Sequence, residues 1–491
     1  MTQASPRGAG IALDALFPAA RRSGPAGVYV AGCTADWRRV QPGDAFVAVT
    51  TDDRDGHEDA RRAVRRGASA VLCERPVPVF HVPQYEVDDS REAWCTLSHA
   101  LAGNPSERLR VVGICGAHGK STVAALLESI FVAADVETGV LTDAKSYDGM
   151  SRGSGIGPAP SPETLAARLA RMEAAGCTHA IVELSSRGLS QRRFSGLRLD
   201  ALCVTHVTSA SLEFHQSPQN YRDAERRATD LLAPEGVAVL NGDDPVCQSW
   251  ISDLDGPLLA YGLDGENPLT ARILQQNAAE TIFLLRAGDE TAAVRTTIVG
   301  THHVENCLAA AAVALWYGID LAVIARGIEA VSRLTSRMER VACGQDFPVF
   351  VDAASSADAV RASLMTARRL ASGRVLCVLS DAPPASSQEA AALRQVVRKL
   401  ADVAVVTDAR LELEPAWTAD DGSLEVHRTT DRVEAIAWAV SLASRGDVVV
   451  VTGSRSREGF GFGAAAASLS DADVAREILY ARENSALRLV A

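Results

Sequence analysis

The sequence predicts an α/β protein of three consecutive units, the middle one a phosphate-binding unit on a parallel sheet and the last a second doubly wound sheet. Three observations carry this. The chain has 491 residues, more than one hydrophobic core serves, so two to four domains are expected. A short buried strand, Val111 to Cys115, runs through Gly116-Ala117-His118-Gly119-Lys120-Ser121-Thr122 into an apolar helix-forming stretch, Val123 to Phe131. From about residue 336, apolar runs at 349–352, 374–380, 403–407 and 448–452 alternate with helical stretches.

The glycine loop organises the rest. Gly116 and Gly119 let backbone N–H groups converge on an anion, and the helix start adds its partial positive charge. Lys120 is placed to reach the terminal phosphates of a nucleoside triphosphate, and the Ser121 hydroxyl to hold Mg²⁺. The strict Walker pattern has glycine where this chain has Ile114, so the loop is of a variant type.

Residues 1–108 form the first unit, with strands at 45–49 and 70–73 and a helix at 57–67 between them. Cys33 to Asp44 is a polar loop with a Pro42-Gly43 turn. Asp36 and Arg38 are its candidates for a polar ligand, although taken alone they read first as surface loop residues. The second unit, 109–335, has strands at 180–184, 201–205 and 237–241. They end in Ser185-Ser186, at His206 and in Gly242-Asp243-Asp244-Pro245, so polar residues gather beyond the carboxyl ends of strands, where open α/β sheets bind ligands. Ser217-Pro218 starts a helix by the N-cap and N1 preference, with Tyr221 and Glu225 on one face, and Pro234-Glu235-Gly236 is expected to stop it. The third unit is 336–491.

A composition of 47% hydrophobic and 22% charged residues is ordinary for a soluble chain. A net charge of −12 argues against nucleic acid as a partner but not against a nucleotide, which needs only local positive charge. The ten cysteines show no paired metal spacing, and Cys73, Cys115, Cys203 and Cys377 fall inside expected strands, as reduced buried thiols do. This, with no signal-like segment and no membrane-length apolar run, predicts a cytoplasmic protein without a membrane partner.

Taken in order, the motifs resemble those of the Mur ligases, and among them the UDP-N-acetylmuramoyl-tripeptide synthetase (MurE) branch. Asp36-x-Arg38 with Val40-x-Pro42-Gly43-Asp44-x-Phe46-Val47-Ala48 resembles the family's uridine-binding opening. The loop stands where the family has Gly-Thr-Asn-Gly-Lys-Thr-Thr. Pro160-Ser161-Pro162-Glu163 is similar to Thr-Thr-Pro-Glu, and Glu183-Leu184-Ser185-Ser186-Arg187-Gly188-Leu189 with Arg193 is similar to Glu-Val-Ser-Ser-His-Gly-Leu…Arg. Asn241-Gly242-Asp243-Asp244-Pro245, Gly300-x-x-His303-x-x-Asn306, Arg337-Met338-Glu339 and Val351-Asp352 onward complete the series. The resemblance implies a UDP-substrate domain, a central ATPase and a C-terminal Rossmann-like domain. It implies an ATP-dependent amide ligase joining an amino acid or amine to a UDP-muramoyl-peptide carboxylate through an acyl phosphate. ATP and Mg²⁺ are then the cofactors, with Gly116, Gly119, Lys120, Ser121, Thr122, Asn306, Arg337 and Asp352 on the nucleotide. Asp36, Arg38, Ser161, Ser185 and Arg193 fall to the substrate, Ser121, Glu183 and Glu225 to the metal, and Lys120, Glu183 and Glu225 to catalysis.

Departures cluster at the chemistry. Ser211 replaces a metal-binding histidine and Ala210 the aspartate before it. Glu225 stands where the family has a lysine that becomes carbamylated and helps hold Mg²⁺; its plain alternative is a solvent-facing helix glutamate. Thr407-Asp408-Ala409-Arg410-Leu411 replaces the Asp-Asn-Pro-Arg grip for diaminopimelate. Ser380 to Pro384 and Gly453 to Glu458 are also changed. Two readings follow: a ligase with an altered metal site and amino-acid choice, and a non-catalytic paralogue that binds nucleotide, UDP-muramoyl peptide or a partner ligase.

Overall fold

The computed structural model describes residues 10–51, 54–208, 212–379, 387–407, 424–453 and 470–490. Two compact units form. One takes in Met1–Ala124, Phe131–Thr208 and Gln219–Leu259, the other Ala125–Ile130, Ser209–Pro218 and Ala260–Ala491.

The first unit opens with a five-stranded sheet in the order Arg21–Ser23, Gln84–Glu86, Ala70–Cys73, Asp44–Val47, Gly32–Thr34. Its two expected strands pair in parallel with every residue buried. The helix between them is shorter than the 57–67 expected: a 3₁₀ turn, Gly56–Asp59, precedes Ala60–Arg65. The Asp55 carboxylate fixes that turn by accepting the His57 N–H at 2.9 Å.

Seven further strands of this unit run in the order Arg152–Ser154, Lys145–Tyr147, Thr138–Leu141, His179–Glu183, Arg110–Cys115, Leu199–Val204, Leu232–Asn241. The last five in that order are parallel. Their near-continuous apolar runs suit strands covered on both faces. Arg110–Cys115 lies between His179–Glu183 and Leu199–Val204, so the strand order reverses beside it, and such a point opens a crevice at the carboxyl edge.

Pro234-Glu235-Gly236 does not stop a helix. Helix Pro218–Arg226 passes into a 3₁₀ turn, Arg227–Leu231, and the Pro-Glu-Gly segment lies inside strand Leu232–Asn241. Leu199 pairs with Leu232 but Ala201 with Val237, so residues 233–236 bulge from the ladder. Proline has no N–H to give a ladder and is tolerated at such a bulge.

The second unit holds an antiparallel meander, Leu269–Gln276, Thr281–Ala287 and Glu290–Thr296, and helices Thr301–Trp316 and Leu321–Ala330. Its six-stranded sheet runs Glu339–Val341, Val349–Val351, Val448–Val451, Val375–Leu379, Val403–Thr407, Glu425–Thr429. All neighbours are parallel except the first pair. Alternate residues feed two cores: Val349, Val351, Leu376 and Val378 one, Phe350, Val375, Cys377 and Leu379 the other. This is the doubly wound sheet expected from the alternating runs.

All ten cysteines carry free thiols. No helix among the described residues is long and apolar enough to cross a membrane.

One buried group sets a pH limit on the first unit. His99, on helix Ser90–Leu101, is 2% exposed and neither ring nitrogen has a hydrogen-bond partner. A Cβ on Gly196 would lie 2.3 Å from the ring, so this position admits only glycine against the histidine. Burial lowers the His99 pKa from 6.5 to about 4. The imidazole is therefore neutral when folded and takes a proton on unfolding below pH 6.5, so its contribution is whole above that pH and is lost as pH falls toward 4. The loss is on the order of 3 kcal/mol at about 1.4 kcal/mol per pH unit. His179, lowered by burial to about 4 as well, adds to this slope. His99→Gln is therefore expected to make the pH 4–6.5 part of the stability profile shallower in urea melts; an unchanged slope would show that His99 does not contribute to it.

Candidate active site

The loop Cys115 to Ser121 lies at the carboxyl end of the reversal strand and opens helix Lys120–Ala133. The neighbouring strand ends hold its backbone groups one by one. The Thr205 hydroxyl donates to the His118 carbonyl at 2.6 Å and lies 3.2 Å from the Cys115 carbonyl. The His206 carbonyl accepts the Ala117 N–H at 2.7 Å. Glu225 Oε2 accepts the Gly116 N–H at 3.0 Å. Lys120 Nζ folds back to donate to the Gly116 carbonyl at 2.8 Å. Gly116 has φ +120°, and a Cβ there would lie 2.3 Å from the Thr205 hydroxyl, so the loop needs glycine at this point. Gly119, at φ +84°, is the second left-handed position. Thr122 is buried in the first turn of the helix.

The Asn241-to-Pro245 segment supports this loop at one remove. Asn241 Nδ2 donates to the Thr205 carbonyl at 3.0 Å. Asp244 caps helix Pro245–Asp253 through the Val246 and Cys247 N–H groups and also accepts the Val207 N–H at 3.0 Å. Its carboxylate lies 3.2 Å from His206 Nδ1.

Acidic groups line the same edge. Glu183 is 4% exposed; its Oε2 accepts the Ser121 hydroxyl at 2.9 Å and its Oε1 lies 4.0 Å from Lys120 Nζ. Asp143, beyond strand Thr138–Leu141, is one that sequence reasoning missed. Burial pushes its pKa up to about 6, with Glu183 adding and Lys120 opposing. The strand-end rule that found Ser185 and His206 would have found it had strand 138–141 been recognised. Thr205 was quoted only as part of a strand, and its hydroxyl holds the loop.

Glu225 is 0% exposed, which removes the solvent-facing alternative. It shares its helix face with Tyr221, as the spacing predicts. Burial raises its pKa, while Lys120, the Tyr221 hydroxyl, the Gly116 N–H and the Cys115 thiol favour the charged form.

Mg²⁺ usually takes one or two carboxylates plus substrate phosphates and keeps several waters. The Ser121 hydroxyl and Glu183 carboxylate, with Asp143 beside Glu183, form an oxygen donor set of that kind. Glu225 Oε2 is on the Gly116 N–H, and its Oε1 is buried without a hydrogen-bond partner. Among the described residues, no three histidine, cysteine, aspartate or glutamate side chains group to hold a metal.

The expected substrate residues have local structural partners. The Asp36 carboxylate caps a 3₁₀ turn by accepting the Arg38 N–H at 3.0 Å, and the exposed Arg38 guanidinium lies over Trp37. Ser161 caps helix Pro162–Ala174 through the Thr164 N–H. Ser185 Oγ accepts the Gly188 N–H and donates to the Pro158 carbonyl. Arg193 sits 4.8 Å over the Trp94 ring, with its pKa lowered by burial. In the second unit, Asp352 is buried and accepts the Ser363 hydroxyl at 2.6 Å and the Ala354 N–H at 3.2 Å. Asn306 lies in helix Thr301–Trp316, and Arg337 is exposed in a turn between Ser336 and Met338, both left-handed at φ +54° and +45°. His303 is buried, its Nε2 3.7 Å from Cys307 Sγ. Ala210 and Ser211, residues 380–384, the Asp408-to-Leu411 segment with Arg410, and Ser454 to Glu458 lie outside the described residues.

A parallel sheet whose middle strand feeds a glycine loop and a Lys-Ser helix start defines a phosphate-loop nucleotide-binding protein. Residues 114–314 match the Mur ligase middle domain, and residues 336–455 match the Mur ligase, glutamate ligase domain. The chain belongs to the Mur ligase family. It is 32% identical over 464 residues to the UDP-N-acetylmuramoyl-L-alanyl-D-glutamate–2,6-diaminopimelate ligase of Geobacillus thermodenitrificans, covering 91% of this chain and 94% of that one. It is 31% identical over 466 residues to the ligase of the same name from Chlorobaculum tepidum, covering 90% and 91%. A solved structure of a ligase of that name superposes with a TM-score of 0.71 at 21% identity, over 96% of this chain and 99% of that one. The MurF ligase of Thermotoga maritima, solved in complex with ADP, superposes with a TM-score of 0.63 at 17% identity, over 92% and 98%. These relatives are named as ligases, and the reading of a paralogue without turnover gains no support from them.

Lys120→Ala is expected to abolish ADP binding in calorimetry, and unchanged affinity would remove the loop assignment. Thr205→Val, which deletes the hydroxyl holding His118, is expected to weaken ADP roughly tenfold, the worth of one buried hydrogen bond. An unchanged affinity would show that the loop keeps its shape without it.

Proposed function

We propose that the protein is an ATP-dependent, ADP-forming amide ligase that joins an amino acid or amine to the carboxylate of a UDP-muramoyl-peptide-like acceptor. The observation that carries this is the loop: a Lys-Ser helix start beside a buried carboxylate, at the reversal point of a parallel sheet. In this reading Lys120 and the amides of the helix start bind and orient the phosphates of ATP. Ser121 and Glu183 hold Mg²⁺, which when bound neutralises charge on the phosphates. The acceptor carboxylate takes the terminal phosphoryl group, giving an acyl phosphate and ADP. The incoming amine attacks the acyl carbon, the C–O bond to phosphate breaks, phosphate leaves with that electron pair, and the nitrogen gives up one proton, which ends on the released phosphate. Lys120, 4.0 Å from Glu183, offsets the negative charge gathered at this edge.

The proposed substrate contacts are Asp36, Arg38, Ser161, Ser185 and Arg193, all on the first unit. The second unit carries the proposed nucleotide contacts Asn306, Arg337 and Asp352. The domain division we propose is 1–108, 109–335 and 336–491, and the proposed compartment is the cytoplasm.

Relatives at 32% and 31% identity are named as diaminopimelate ligases, yet Ala409-Arg410-Leu411 breaks the spacing of the Asp-Asn-Pro-Arg grip. A guanidinium fork matched to a carboxylate is not replaced by an arginine at another offset. We therefore propose a different amino acid. Phosphate release with UDP-muramoyl-dipeptide across a panel of amino acids tests both statements. Turnover is expected with at least one amine and not with diaminopimelate. Turnover with none would overturn the ligase reading, and efficient use of diaminopimelate would overturn the specificity.

A further inference from the structure

Glu225 is the one carboxylate of the site that lies wholly under the phosphate loop, and its contacts assign it work other than metal binding. We propose that Glu225 is a positioning residue: by accepting the Gly116 N–H it holds the loop in the shape that receives a nucleotide's phosphates, and it does so without metal. The proposal rests on the nucleotide-binding reading of the loop.

Gly116 is gripped at both polar groups. Glu225 Oε2 takes its N–H at 3.0 Å, and Lys120 Nζ donates to its carbonyl at 2.8 Å. The peptide so held has φ +120°, a conformation that a chain leaves readily unless its hydrogen bonds define it. Neighbouring contacts fix the flanks, His206 the Ala117 N–H and Thr205 the Cys115 and His118 carbonyls. Among these contacts the Gly116 N–H is met by a side chain that arrives from helix Pro218–Arg226, so this bond ties that helix to the loop.

A carboxylate with no exposed surface is costly unless its surroundings supply donors and a counter-charge. The Gly116 N–H donates to Oε2, and Lys120, the Tyr221 hydroxyl and the Cys115 thiol favour the charged form, while Oε1 has no hydrogen-bond partner. Oε2 is the oxygen that holds Gly116, so the hold on the loop stands apart from anything Oε1 meets. Ser121 and Glu183 supply oxygen donors at the loop's edge that do not involve the Gly116 contact.

The two roles separate in the absence of metal. ADP binding is measured by calorimetry in EDTA and again in Mg²⁺, on the full chain and on Glu225→Gln, Glu225→Asp and Glu225→Ala, with a melting temperature for each. The glutamine amide oxygen still accepts from Gly116, so Glu225→Gln is expected to stay within about threefold of the parent in EDTA. Glu225→Asp keeps the charge but is one methylene too short, and is expected to lose roughly tenfold in EDTA, the worth of the bond. Glu225→Ala is expected to do the same, and the ratio of affinities with and without Mg²⁺ is expected to stay as in the parent. Glu225→Asp or Glu225→Ala binding ADP in EDTA as tightly as the parent would overturn the proposal, as would losses seen only in Mg²⁺. Glutamine weakened as much as alanine in EDTA would also overturn it. Should Glu225→Ala fail to fold, the contrast between Gln and Asp decides. A parent chain that binds no ADP at all would instead overturn the reading of the loop.

Discussion

The fold of the site depends on buried hydrogen bonds that converge on one short loop from beneath. A glycine loop is flexible by composition, and left to itself it would sample many shapes. Here Thr205, His206 and Glu225 hold successive backbone groups from Cys115 to His118, and Lys120 closes the turn on Gly116. Asn241 and Asp244 in turn fix the segment 205–207 that does the holding. Each bond is worth little alone, but removing any one leaves a buried polar group unpaired, which is where the cost lies.

This arrangement explains why polar motifs sit at the ends of strands His179–Glu183, Leu199–Val204 and Leu232–Asn241 while the strands themselves are largely apolar. The strands must be buried on both faces, and their carboxyl ends are where side chains can meet the loop without breaking the ladder. The negative groups there, Glu183, Asp143 and Glu225, need the positive Lys120 and the helix start to be tolerated. An anionic substrate would meet the same positive groups, so an edge of this charge is suited to a nucleotide carried with a cation.

Much of this was legible in the sequence, and for definite reasons. The loop, its strand and its helix follow from a pattern whose chemistry allows few other residues. The last sheet follows from short apolar runs that alternate with helical stretches, and the runs are apolar throughout because both faces are covered, Val349 and Val351 facing one core and Phe350 the other. Burial of single polar residues was not legible. Glu225 lies in Pro-Gln-Asn-Tyr-Arg-Asp-Ala-Glu-Arg, a helix so polar that nothing local tells a buried glutamate from a solvated one; only the Gly116 N–H across the sheet decides. Pro234-Glu235-Gly236 reads as a helix stop because both its outer residues break helices, but a bulge uses the same chemistry. Ser161 and Ser185 were taken from motifs as substrate residues, and their hydroxyls also cap helices, a role that Ser-Pro and Ser-Ser at helix starts equally signal.

The most direct test of this account is an experimental structure of the chain with ADP and Mg²⁺. It should place the β-phosphate on the amides that open helix Lys120–Ala133, Mg²⁺ against Ser121 and Glu183, and Glu225 Oε2 still on the Gly116 N–H. Mg²⁺ bound directly by Glu225, with the Gly116 N–H released, would contradict it.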